Sequence, residues 1–263
     1  MAATTAGTPA GPSTVWSALF ADAEAQGLNV AVAVPREAIE GAFAQAAARQ
    51  AEHGLGAGLP VTAPRMLHPG YRTAVVLGSA GRAFWESFRA ATADLRGNDP
   101  LDRHTARVAD ALLEHLRKED PKAQAAFPFN HARRIVPFMA LTGHLPWARP
   151  QPFGLAVHPR FGPWFAWRAA LLTQLAPPAA PKAEANPCAA CPAPCVEACP
   201  AGAVDKGGFH WPDCISFRRD QAPCRETCLS RETCPAGAEF RYGRDQLAYH
   251  YTASLRMIEE GRV

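Results

Sequence analysis

No cysteine occurs before Cys188 or after Cys234 in this chain of 263 residues. No apolar run approaches the roughly 20 residues that a membrane helix needs, so a helical span is excluded. Met1 to Ser13, small and uncharged, lacks the basic start and apolar stretch of a secretory signal and is read as a flexible N-terminus. Net charge is scarce as well. Against 24 acidic residues stand 27 Lys and Arg, a formal charge of +3, which is too little to predict nucleic-acid binding. The basic pairs Arg133 with Arg134 and Arg218 with Arg219 are read as salt-bridged or solvated. These absences predict a cytoplasmic protein without a membrane or nucleic-acid partner. Thiols stay reduced there, so a disulfide framework is the least expected use of cysteine.

What is present is concentrated. The eight cysteines form two runs, Cys188, Cys191, Cys195 and Cys199, then Cys214, Cys224, Cys228 and Cys234, and each run closes on Cys-Pro-Ala-Gly-Ala. Structural cysteines scatter through a fold, whereas crowding of this kind marks a metal or cluster site. The first run reads C-x2-C-x3-C-x3-C-P, one residue longer than the bacterial ferredoxin run, whose last cysteine ligates the other of two clusters. The same crossing predicts one 4Fe-4S cluster on Cys188, Cys191, Cys195 and Cys234, and a second on Cys214, Cys224, Cys228 and Cys199. Structural zinc is the competing use. Cys188-x2-Cys191 is a good zinc half-site, but a ribbon pairs two such knuckles and the chain holds one.

The rest of the chain mixes helices and strands. Helices are predicted over Thr14 to Gln26, ended by Gly27, and from Pro35 through Ile39 and Phe43 towards Gly54. Others are predicted over Arg82 to Thr92, over Pro100 to Glu119 with Asp99 as cap, and over Asp245 to Glu259, packing back on the main body. Strands are predicted at Leu28 to Val34 and Arg72 to Leu77, with extended segments at Gln124 to Asn130, Arg134 to Ala140 and Phe153 to His158. Gly54 to Pro69 reads as a loop, and Trp164 to Leu175 fits a buried strand or a core helix equally well. Gly78, Ser79 and Gly81 form either a phosphate-cradling turn or a plain tight one. Asp102 and His104 match the start of the cobalamin signature Asp-x-His-x-x-Gly, but Arg107 holds the glycine position, so His104 is read as solvated. Prolines cluster between Pro177 and Pro194, where a linker fits. The predicted division is a flexible 1–13, an α+β domain at 14–180, a ferredoxin-like module at 181–240 and a closing helix at 241–263.

The two runs ending Cys199-Pro200 and Cys234-Pro235, with Gly154-Leu155-Ala156-Val157-His158-Pro159 and then Gly162 and Trp164, resemble epoxyqueuosine reductase and its relatives. The resemblance implies a cobalamin-reductase or nitroreductase-like α+β domain followed by a two-cluster ferredoxin-like module. It further implies an iron–sulfur oxidoreductase that relays electrons to a cobalamin, a flavin or a substrate in the first domain, supplied by a redox partner protein. The chain ends at Val263, without the C-terminal helical-repeat extension of the tRNA-modifying members. The alternative is a non-enzymatic ferredoxin-like carrier, or a cluster- or zinc-stabilised scaffold that docks an enzyme.

His158 is the candidate cofactor contact. His68 and Tyr71 share its loop setting beside Pro and Gly, and each histidine has an ordinary structural reading too. Trp164 and Trp167 read as core or as a stacking platform. No residue stands at a spacing that assigns a catalytic acid or base.

Overall fold

The computed structural model describes residues 12–53, 64–91, 99–129, 138, 156–179, 184–205 and 208–260. The first helix, α1, spans Pro12–Ala25 and buries Val15, Trp16, Leu19 and Ala23. Gly27, at φ 83°, turns the chain out of it. Strand β1, Val30–Pro35, leads directly into α2, Arg36–His53. The predicted loop that follows carries a single helical turn, α3, Pro64–Leu67, near its end.

Strand β2, Thr73–Ala80, is buried at all eight positions, the mark of a central strand covered on both faces. It runs through Gly78 and Ser79, which the sequence reading placed after it. The turn before α4, Ala83–Ala91, therefore shrinks around Gly81. Gly81 donates its N–H to the Trp164 carbonyl at 2.9 Å, so the turn is committed to the fold rather than open to a phosphate.

Helix α5, Pro100–Arg117, buries the expected face of Leu101, Val108, Leu112, Leu113 and Leu116. Its entry differs from expectation. Asp99 takes a left-handed backbone at φ 50° with no capping hydrogen bond from its side chain, and accepts from Arg256 at 3.3 Å instead. His104 is 4% exposed rather than solvated, because its turn of the helix faces the rings of Phe84 and Phe88. Burial, then Arg107 and Arg168, lowers its pKa and keeps it neutral.

Among the described residues of the segment predicted to reach Asn130, only β3, Gln124–Ala126, forms a strand. Arg134 to Ala140 lies outside the described residues except for buried Phe138, as do Arg133 and the start of Phe153 to His158. The ambiguous apolar run is a strand, β4, Phe165–Thr173. The sheet has the order β1-β2-β4-β3, with every neighbouring pair antiparallel. Helices α1, α4 and α5 cover the face that carries Val75, Leu77, Ala169 and Leu171. Helix α2, Phe138 and Phe161 cover the other, with Val76, Phe165, Trp167 and Leu172. The mixed helix and strand architecture is as predicted.

His68 and Tyr71 are fixed inside this body. Tyr71 donates to Glu40 at 2.9 Å. Asp120, 2% exposed, lies 3.0 Å from His68 Nε2 and accepts from Thr173 Oγ1 and from the backbone N–H groups of Gln174 and Lys122. Burial works against its charged form, but the Gln174 N–H, His68, Thr173 and the Lys122 N–H outweigh it and hold the carboxyl below its ordinary range. Asp120→Ala strands these donors and is expected to cost about 3 kcal/mol at neutral pH. A depressed carboxyl stabilises above the unfolded value of about 3.9 and loses that contribution as pH falls through the folded value. The gap between wild type and variant in urea unfolding should therefore shrink with acidification, and a constant gap would contradict this assignment.

Beyond β4 the chain forms α6, Pro194–Glu197, α7, Trp211–Asp220, α8, Leu229–Glu232, and α9, Arg244–Glu259. Helix α9 docks on the main body: Asp245 accepts from Arg82 and from the Trp85 indole N–H, and Gln246 donates to the Gly81 carbonyl. It also holds the cysteine region, through the Tyr251 carbonyl and Ser254 hydroxyl that Arg218 engages. No helix among the described residues is long and apolar enough to cross a membrane.

Candidate metal centre

The two repeats fold alike. Cys199 follows α6 and Cys234 follows α8, those helices pack on each other, and each Cys-Pro-Ala-Gly-Ala turns at a left-handed glycine, Gly202 at φ 62° and Gly237 at φ 64°. In the gap between Cys191 and Cys195, Ala193 takes φ 60° and places its N–H 3.4 Å from Cys191 Sγ. The Cys188 N–H donates to Asn186 Oδ1 at 3.0 Å.

Electrostatics divides the eight thiols. Cys188 is pushed up to about 11 by burial and then by Cys234, Cys191 and Cys195. Cys234 is raised by burial, with Cys195 and Cys191 acting on it. Cys214 is pushed up to about 11 by burial; Arg218 opposes the rise, and Cys228, Cys199 and Cys224 add to it. Cys224 feels Cys228 and Cys199. Cys199 lines one cavity with Cys214, Cys224 and Cys228, while Cys188, Cys195 and Cys234 pack in one cluster and Cys191 acts on each of those three. The neighbourhoods adjoin, since Cys199 packs in one cluster with Cys195 and Cys234. Among the described residues no three His, Cys, Asp or Glu side chains converge as they would on a single ion.

The surroundings of the two groups differ. The first is packed among Val157, Ala193, Val196, Val204 and Ala236, a cluster that Cys199 also joins. The second lines a cavity of about 260 Å³, bordered also by Ser230, Arg231, His250 and Tyr251. Ser230 Oγ, Arg231 Nε and His250 Nε2 are buried there without a hydrogen-bond partner. Burial, then Arg168 and Arg231, brings the His250 pKa down to about 3, so its imidazole is neutral.

Two arginines close this cavity. Arg218, expected to be salt-bridged or solvated, is 8% exposed and donates to the carbonyls of Cys224 and Tyr251 and to Ser254 Oγ. Arg231, also 8% exposed, lies between the rings of Trp164 and Tyr242, at 4.8 and 4.7 Å, and donates to the Pro163 carbonyl. No sequence signal pointed to Arg231, because its setting is made by residues remote along the chain.

His158 is placed in the turn that meets the cysteine region. It is 9% exposed, its Nδ1 accepts the N–H groups of Arg160 and Phe161, and burial, then Arg160, brings its pKa down to about 4. The next contact is tight. A Cβ on Gly162 would lie 1.8 Å from the Ala236 carbonyl oxygen, and one on Gly237 would lie 2.2 Å from the Phe161 carbonyl carbon. Trp164 and Trp167 are core residues, at 0% and 8% exposure, the first packed with Tyr242 and Leu247 and the second against the sheet.

No protein-family model matches the chain, and no curated protein matches it. Solved structures do. An epoxyqueuosine reductase in complex with an epoxyqueuosine-modified tRNA-Tyr stem loop is similar with a TM-score of 0.63 at 14% identity, over 90% of this chain and 69% of that one. The Bacillus subtilis epoxyqueuosine reductase gives 0.60 at 13% identity, over 89% and 68%. The C. elegans B12-trafficking protein CblC, a homologue of human MMACHC, gives 0.54 at 14% identity, over 94% and 96%. At these identities the likeness is one of fold: the chain folds as the epoxyqueuosine reductases and CblC do.

Proposed function

We propose that the protein is an iron–sulfur oxidoreductase related to the epoxyqueuosine reductases. Cys188, Cys191, Cys195 and Cys234 hold one 4Fe-4S cluster, and Cys199, Cys214, Cys224 and Cys228 hold a second, in a ferredoxin-like module at 181–240. The observation that carries this reading is that Cys199 lines one cavity with the second run's Cys214, Cys224 and Cys228, while Cys234 packs with the first run's Cys188 and Cys195. The cavity of the second group suits an anionic, sulfur-bound centre, because Arg218 and Arg231 border it and Arg231 Nε, Ser230 Oγ and His250 Nε2 lack a hydrogen-bond partner there. Such clusters supply electrons one at a time. The protein's own part is to exclude water with Val157 and Val204, to brace Cys191 through the Ala193 N–H, and to hold the module against the domain at 14–180 with the helix at 241–263.

The acceptor in that domain is a cobalamin or a flavin, a reading supported by the fold shared with CblC, a B12-trafficking protein. His158 stands at the wall between the domain and the first group, with Nδ1 committed to its turn. A tRNA substrate is supported by the neighbour solved with a tRNA stem loop, against the sequence expectation of no nucleic-acid partner. Protein purified without oxygen should be brown, absorb broadly at roughly 400 nm and contain about eight iron and eight sulfide per chain. Added cobalamin should change its spectrum, and a tRNA stem loop should bind with a salt-dependent affinity. Colourless protein with stoichiometric zinc would remove the reading. Brown protein that binds neither cobalamin nor flavin would leave the ferredoxin-like carrier in its place.

A further inference from the structure

We infer that the buried guanidinium groups of Arg231 and Arg218 hold the Cys199, Cys214, Cys224 and Cys228 centre at a higher reduction potential than its neighbour, so that an electron entering the pair rests there. The inference depends on the reading that both groups hold clusters.

An arginine cannot shed its proton in a protein, and a buried charge is costly unless an opposite charge compensates it. Arg231 and Arg218 are each 8% exposed, and among the described residues neither forms an ion pair with a carboxylate. The groups acting on Arg231 are Tyr251, Tyr242 and Cys228. Tyr251 engages Cys228 and Arg231 alike, while its ring lies 5.2 Å beneath the Arg218 guanidinium. Arg218 in turn acts on Cys214 and Cys224. Two full positive charges therefore border the second group, and its missing counter-charge is a thiolate-bound anion.

Among the described residues the first group has no such pair. The cation acting on Cys234 is Arg241, which is exposed and so screened by solvent, and the packing around that group is apolar. Adding an electron makes a centre more negative. Buried cations favour that step far more than exposed ones do, because the local dielectric is low.

The experiment is an anaerobic redox titration of the full chain, followed by electron paramagnetic resonance, with iron counted on every sample. Wild type should show two potentials, and Cys199→Ala should abolish the higher one. Arg231→Met keeps the length of the side chain and removes the charge. It should weaken the electron affinity of the higher centre at least tenfold, about 59 mV for one electron, and leave the lower centre in place. Arg231→Lys should restore most of the loss. Arg219→Gln should change nothing, because Arg219 is exposed and donates to the Ile258 carbonyl. If Arg231→Met loses the second centre altogether, Arg218→Gln must still lower the same potential with Arg231 intact. Full iron with equal potentials in wild type, or with Arg231→Met moving neither or both alike, overturns the inference while the cluster reading survives. Wild type without iron overturns both.

Discussion

Cys234→Ala is expected to halve the iron content, from about eight to about four per chain, and Cys199→Ala to do the same, but the two losses fall on different centres. Double substitutions separate the crossed arrangement from the uncrossed one. Cys199→Ala with Cys214→Ala removes two ligands of one centre and should leave about four iron. Cys234→Ala with Cys214→Ala touches both centres and should leave almost none. If each run served only its own cluster, the outcomes would exchange, since Cys214 and Cys234 belong to the same run. The prediction rests on Cys188 packing in one cluster with Cys234 and on Cys214 lining one cavity with Cys199. Iron and sulfide analysis of the four variants decides it.

Gly237→Ala should destabilise the protein by about 4 kcal/mol, the sum of a left-handed alanine, about 1–2 kcal/mol, and forced overpacking, about 1–3 kcal/mol. The neighbour in the way is backbone, the Phe161 carbonyl, and it cannot rotate aside as a side chain could. Gly162→Ala, at φ 59° and aimed at the Ala236 carbonyl, should cost a similar amount. The equivalent glycine of the first repeat is the internal control. Gly202 has the same backbone, but among the described residues no atom beyond its own chain neighbours lies within 4 Å of where its Cβ would be. Gly202→Ala should therefore cost only about 1 kcal/mol, the left-handed strain less the entropy saved in the unfolded chain. Urea unfolding of the three variants measures the difference. Equal losses at Gly202 and Gly237 would mean that the second repeat does not dock where Phe161 and Gly162 place it.

Much of the main body was legible because its signals are local. Gly27, Pro35 and the periodic leucines of Pro100 to Glu119 act within a turn or two of themselves, and the elements ended where those residues stand. Trp164 to Leu175 stayed ambiguous because a strand buried on both faces does not alternate. Its identity came from pairing with β2 and β3. His104 and Asp99 were misread for a related reason. A polar residue on a helix looks solvated until Phe84 and Phe88 are known to cover it, and Asp99 meets Arg256 across 157 positions.

A cysteine grouping could be proposed from spacing and the repeated Cys-Pro-Ala-Gly-Ala, which are properties of the chain itself. The charge around it could not. Arg231 reaches the Pro163 carbonyl 68 positions away and stacks between Trp164 and Tyr242, a site that exists only after β4 and the start of α9 converge. Arg218 has a sequence neighbour of identical type, yet one side chain is buried beside Cys224 and the other reaches the end of α9.

The central claim is that two cubane clusters sit side by side in the cysteine region. Its most direct test is electron paramagnetic resonance of the anaerobically purified, fully reduced protein, with iron and sulfide counted on the same sample. Two adjoining clusters predict a spectrum broadened by interacting spins, which simplifies to one isolated signal in Cys199→Ala and in Cys234→Ala. A single isolated signal in the wild type, with about four iron per chain, would contradict the account.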